Sequence, residues 1–193
     1  MKRFITIALT FVLLIGGHVF AQEKKEKHEM KEMADGQDEF VKDAVAQFHG
    51  LGEKFAALAK AVPKEKLTWS PGEGVRSIRE VFTHAADANI LFITMAGVKA
   101  PSGPALSKNQ KERENRFTTN EELMKAITES FAYVEAQVAT MTHDQLHAKT
   151  KMFGQETTNM NVILVSIGHL HEHLGQSIAY ARTNGVVPSW NAN

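Results

Sequence analysis

Apolar residues return every three or four positions in four separate stretches of this 193-residue chain. That period belongs to α-helices with one buried face. The first stretch runs from about Glu39 to Ala61 on Val41, Ala44, Phe48, Leu51, Phe55 and Leu58, and Pro63 stops it. A second begins at Ser77-Ile-Arg-Glu80, a capping box in which the Ser and Glu side chains satisfy each other's free backbone N–H groups. It continues to about Ala96 on Ile78, Val81, Phe82, Ala85, Ala88 and Phe92. A second capping box, Thr119-Asn-Glu-Glu122, opens a third helix that reaches about Thr140 on Leu123, Ile127, Phe131, Val134 and Val138. The fourth spans about Asn159 to Thr183, where Asn184-Gly185 supplies a C-cap and Pro188 forbids continuation. No internal repeat is visible, and strand-like alternation is limited to pairs such as Val186-Val187. Four greasy stripes bury one another most simply in an all-α four-helix bundle.

The connections differ in length. Gly97 to Phe117 holds Pro101, Gly103 and Pro104, then a run of charge without hydrophobic period. So long a link implies a crossover between helices two and three, or a lid over a pocket. Thr142 to Thr158 reads as a connector with at most one helical turn after Thr142. Ahead of the bundle, Lys2-Arg3, an apolar run from Phe4 to Ile15 and small residues before Gln22 form a signal peptide over residues 1–21. Residues 22–36 are dense in charge and form a flexible tether, and 37–193 form one domain. Export to the periplasm or cell exterior follows, with no stable membrane insertion after cleavage. The chain has no cysteine, so disulfides and thiolate ligands are excluded. Its 22 basic and 22 acidic residues balance, which disfavours a nucleic-acid partner.

Chemistry is concentrated in the fourth helix. His169 and His173 are one turn apart on one face, the spacing at which two imidazoles can grip one divalent ion. They border the apolar arc of Ile163, Leu170 and Leu174, beside Ser166, Gln176 and Tyr180. His171 points the other way, between Gly168 and Gly175, two glycines that would let another helix approach and would suit a homodimer. His84, on helix two, lies level with Val81 and Ala88 and so points toward the bundle. Spacing alone leaves open whether the histidines bind a metal or are hydrogen-bonded core or surface residues. Asp87 and Gln176, each three residues beyond a histidine, could accept the second ring N–H and fix a tautomer. His49, beside the stripe of helix one, is a further candidate ligand or base, while His143 and His147 fall in the connector.

The segment His169-Leu-His-Glu-His173-Leu-Gly-Gln176, with Ser177 to Pro188 after it, resembles the last helix of the DinB-like superfamily. Glu65-Lys-Leu-Thr-Trp69-Ser-Pro71 and Val75-Arg-Ser77-Ile-Arg-Glu80-Val-Phe-Thr-His84 resemble that family's entry into its second helix. The resemblance covers roughly residues 37 to 190 and implies a four-helix bundle with a divalent metal on His84, His169 and His173. All-nitrogen ligation suits zinc or nickel, and three ligands leave room for water or substrate. A metal-dependent enzyme, hydrolase-like through activated water, is the expected function. Two alternatives stand beside it: a non-catalytic metal-binding or stress-related bundle, and a thiol-dependent transferase, which suits an exported protein poorly. Beyond His49 and Asp87 no catalytic base is evident.

Overall fold

The computed structural model describes Lys25, residues 39–101 and residues 109–191. Of the first unit, Met1–Phe40, only Lys25, Glu39 and Phe40 are described, so the expected signal peptide and, apart from Lys25, the expected tether lie outside the described residues. The second unit, Val41–Asn193, carries the fold.

Helix α1 covers residues 39–61, and a 3₁₀ turn follows at Lys64–Lys66. Helix α2 is Ile78–Met95, the short α3 is Gln110–Glu114 and α4 is Asn120–Ala139. Another short helix, α5 (His143–His147), leads into strands β1 (Lys149–Met152) and β2 (Gln155–Thr158), and α6 is Asn159–Thr183. The four long helices begin and end within a residue or so of the positions that periodicity and capping assign. Both capping boxes form: Glu80 Oε2 accepts from Ser77 N at 2.7 Å while Ser77 Oγ accepts from Glu80 N, and Thr119 and Glu122 do the same at α4. Gly185, with φ 78°, takes the left-handed position that closes α6. No helix among the described residues is long and apolar enough to cross a membrane.

Helix α2 packs against both α4 and α6. Its Phe82 meets α1 edge-on at Phe55, 6.2 Å between ring centroids, and Phe55 meets Phe131 of α4 at 5.7 Å. All three rings are buried, as are Leu58, Val81, Leu123, Ile127 and Leu170. Close helix approach occurs at Gly52, where an added Cβ would sit 3.0 Å from Phe131 Cβ and Cγ. At Gly168 and Gly175 an added Cβ meets nothing within 4 Å, so no described element of the chain uses the approach those glycines would allow.

Two connections depart from the sequence reading. The stretch after Thr142 does form a helical turn, but it then folds into an antiparallel hairpin pairing Lys149 with Thr158 and Met152 with Gln155. Its strands are four residues long and largely polar, so no hydrophobic alternation stands out in their sequence. The turn residues Phe153 and Gly154 both have positive φ, 50° and 84°, which is unusual for phenylalanine. The hairpin is tied to the end of α2 by Thr150 Oγ1, which donates to Met95 O at 2.7 Å. The second departure is α3, inside the long crossover. It lacks an apolar stripe and is held to α2 by charge and hydrogen bonds instead.

Candidate metal centre

The capping box at Ser77 fixes where α2 starts and hence the phase of every residue along it, His84 included. Helix α6 sets His169 and His173 one turn apart on the side facing α2. The three rings converge, with centroid separations of 5.3 Å for His84–His169, 4.7 Å for His84–His173 and 4.4 Å for His169–His173. One ligand nitrogen from each lies within 4.8 Å of the others, and this is the one group of three His, Cys, Asp or Glu side chains so disposed among the described residues. All three rings are half-buried.

The second nitrogens of His84 and His173 are engaged. His173 Nδ1 donates to Gln176 Oε1 at 2.9 Å, Gln176 Nε2 donates to Tyr180 Oη at 2.9 Å, and the Tyr180 ring packs edge-on against Trp69 at 5.3 Å. The Trp69-Ser-Pro segment thus supports a histidine more than a hundred residues away in sequence. His84 Nδ1 donates to Glu114 Oε1 at 3.0 Å, and Arg76 Nε donates to both oxygens of that carboxylate at 3.1 and 3.0 Å. A carboxylate can only accept, so the His84 proton sits on Nδ1 and the Nε2 lone pair is left for a ligand. The Gln176 oxygen imposes the same tautomer on His173. His169 is flanked by Phe92, whose ring lies edge-on at 5.3 Å.

Burial and neighbouring charge keep His84 and His169 uncharged. Burial, the Arg76 guanidinium and the His173 ring push His84 down to about 4, against the opposing pull of Glu114. Burial and His173 push His169 below the usual histidine range as well. Both are therefore neutral at pH 7, the form that coordinates metal. The donor set fits a borderline divalent ion: three imidazoles, two with their outer nitrogens held by oxygen acceptors, in a partly dry pocket. A cavity of about 680 Å³, lined by Gly74, Arg76, Glu80, Lys111, Glu114 and Gln176, opens beside the partners of His84 and His173.

The remaining candidates lie elsewhere. Asp87 is buried but turns from His84: it forms a bidentate pair with Arg116 at 2.9 and 2.6 Å and also meets Arg113 at 3.8 Å. His49 lies on the exposed side of α1, 3.4 Å from Glu135 and 3.6 Å from Glu53. His171 Nε2 donates to Gln47 of α1 at 3.1 Å, on the far side of α6. His143 and His147 pair with each other on α5, ring centroids 4.4 Å apart. Glu114 is the residue that sequence reasoning missed. It lies in a charged run without periodicity, and the available signal was the charge complementarity between Glu114-Asn-Arg116 and Arg76, Arg79 and Asp87.

Among curated proteins, none matches the sequence. Solved structures do share the fold. A DinB-like protein from Bacillus cereus is 19% identical, with a TM-score of 0.59 over 72% of this chain and 88% of its own. The DinB-like protein YjoA from Bacillus subtilis is 22% identical, with a TM-score of 0.57 over 74% of this chain and 92% of its own. YfiT from Bacillus subtilis, described as a probable metal-dependent hydrolase with an unusual four-helix bundle topology, is 15% identical, with a TM-score of 0.60 over 76% of this chain and 88% of its own. At these identities the likeness is one of fold. The sequence profile of the DinB superfamily matches residues 47–177, a span that holds all three converging histidines, and the chain belongs to that superfamily.

Proposed function

We propose that His84, His169 and His173 hold one divalent metal ion, zinc or nickel, and that the protein is a metal-dependent enzyme of hydrolase type. The observation that carries this reading is the convergence of three imidazole nitrogens within 4.8 Å, two of the rings having their Nδ1 protons held by Glu114 and Gln176. Three neutral ligands leave the charge of a dication undiminished, and such an ion supplies Lewis acidity toward a water or substrate oxygen. The chain's own residues do the rest. Glu114 and Gln176 set the tautomers, burial keeps protons off His84 and His169, and the cavity beside Arg76, Lys111 and Gln176 gives a small substrate room. YfiT, with the same fold, is described as a probable metal-dependent hydrolase, which supports the class of chemistry. The proposal includes export, on the strength of the Lys2-Arg3 start and the apolar run after it.

The test is metal analysis of untagged protein, followed by turnover of ester, amide and phosphate substrates before and after chelation. Stoichiometric metal with chelator-sensitive hydrolysis supports the reading. Bound metal without turnover would make the protein a metal-binding bundle, and no metal would remove the proposal altogether.

A further inference from the structure

Three consecutive residues of the crossover grip helix α2 at three successive places. Glu114 takes His84 Nδ1 and Arg76 Nε, at 3.0 to 3.1 Å. Asn115 accepts from Arg79 Nη2 at 3.0 Å and donates to Glu80 Oε1 at 2.6 Å. Arg116 forms its bidentate pair with Asp87. Because Glu80 also closes the capping box at Ser77, the clasp reaches the residue that sets the start of α2. Glu114 is 4% exposed, and Arg76 and His84 are both engaged with it. A buried carboxylate is retained only where charged or hydrogen-bonded partners offset its desolvation. It is also a strong acceptor aimed at one imidazole proton.

From this geometry we infer that Glu114 is a positioning residue for the metal site: by holding the Nδ1 proton and ring plane of His84, it couples the docking of the crossover to metal binding. The inference rests on the metal reading above and adds a regulatory consequence to it. Carboxylate acceptors behind metal-bound imidazoles raise ligand basicity and fix ring orientation, and their loss weakens binding. The coupling is reciprocal, since binding free energies are linked: whatever docking contributes to metal affinity, metal returns to docking. A segment of the chain far from the ligands in sequence thereby becomes a control point for occupancy.

The experiment compares wild type, Glu114→Ala, Glu114→Gln and Asp87→Asn. Zinc affinity is measured by competition with a chromophoric chelator, and the His84 tautomer by long-range proton–nitrogen correlation on metal-free protein at neutral pH. Glu114→Ala is expected to weaken zinc by about 10- to 100-fold and to release the fixed Nδ1–H tautomer. Glu114→Gln, which keeps an acceptor oxygen and the side-chain volume, is expected to recover part of both, and it carries the test if the alanine variant does not fold. Asp87→Asn loosens the clasp without touching His84, so it should leave the tautomer intact and weaken zinc by clearly less than Glu114→Ala does. Amide exchange over residues 110–117 should slow on adding zinc to wild type and not to Glu114→Ala. Wild-type affinity and tautomer in both Glu114 variants would overturn the inference while leaving the metal reading in place. So would a loss in Asp87→Asn equal to that in Glu114→Ala, since the effect would then be docking in general. Failure of wild type to take up either zinc or nickel would instead overturn both.

Discussion

Metal-free protein should lose stability on mild acidification, and His84→Gln should remove the share of that loss that His84 contributes. The ring of His84 is 24% exposed and titrates at about 4 in the folded chain. In an unfolded chain histidine titrates near 6.5. Between these values the unfolded state binds a proton that the folded state refuses, so unfolding becomes easier as pH falls. The stability is fully present above about pH 6.5 and is lost on the way down to pH 4. At roughly 1.4 kcal/mol per unit, His84 alone contributes a loss of about 2 kcal/mol between pH 7 and pH 5. His169 is shifted the same way and adds to it. With a urea dependence of about 1–3 kcal/mol per molar, the His84 share moves the unfolding midpoint by about 1 M. The assay is urea unfolding of chelator-treated protein, followed by circular dichroism at pH 7 and pH 5, in wild type and in His84→Gln. Most carboxylates remain ionised over this window, so the difference between the proteins reports the imidazole. Equal acid losses in the two would refute the claim that the site holds His84 neutral.

Other substitutions separate the parts of the account. His84→Ala, His169→Ala and His173→Ala should each abolish stoichiometric metal by elemental analysis, whereas His171→Ala, which contacts Gln47 on the far side of α6, should retain it. Saturating zinc should raise the unfolding free energy of wild type, by about 2.7 kcal/mol at a hundredfold excess over its dissociation constant, and leave His173→Ala unmoved in the same urea titration. Phe55→Ala, at the meeting of α1, α2 and α4, should cost about 3–5 kcal/mol in that assay. Gly52→Ala should destabilise by about 1–3 kcal/mol because its Cβ meets Phe131 at 3.0 Å. Gly168→Ala, in open space on α6, should stabilise by up to about 1 kcal/mol, as helix propensity dictates.

What the sequence made legible followed from local rules. The 3.6-residue period and the side-chain caps specify α1, α2, α4 and α6 almost to the residue, because each signal lies within one turn of the boundary it marks. The same period puts His84, His169 and His173 on faces that can meet. The rest depends on partners distant in sequence. Helix α3, Gln-Lys-Glu-Arg-Glu, buries no apolar stripe, and its place is set by Arg76, Arg79, Glu80 and Asp87 some thirty residues earlier. Asp87 was a reasonable partner for a histidine three residues away, but an Arg116 guanidinium offers it two parallel hydrogen bonds and takes it. The hairpin escaped notice for a related reason. Its polar strands are ordered by pairing with each other and by Thr150 on Met95, and its Phe-Gly turn lacks the Asn-Gly or Asp-Gly signature.

One measurement bears on the central claim most directly: an anomalous difference map, at the absorption edge of the metal found in untagged protein, from crystals grown without chelator. The account expects a single strong peak about 2.0–2.1 Å from one nitrogen each of His84, His169 and His173, Nε2 in His84 and His173, with the remaining coordination filled by solvent. A peak on other residues, a fourth protein side chain closing the shell, or three histidines with no metal between them would contradict it.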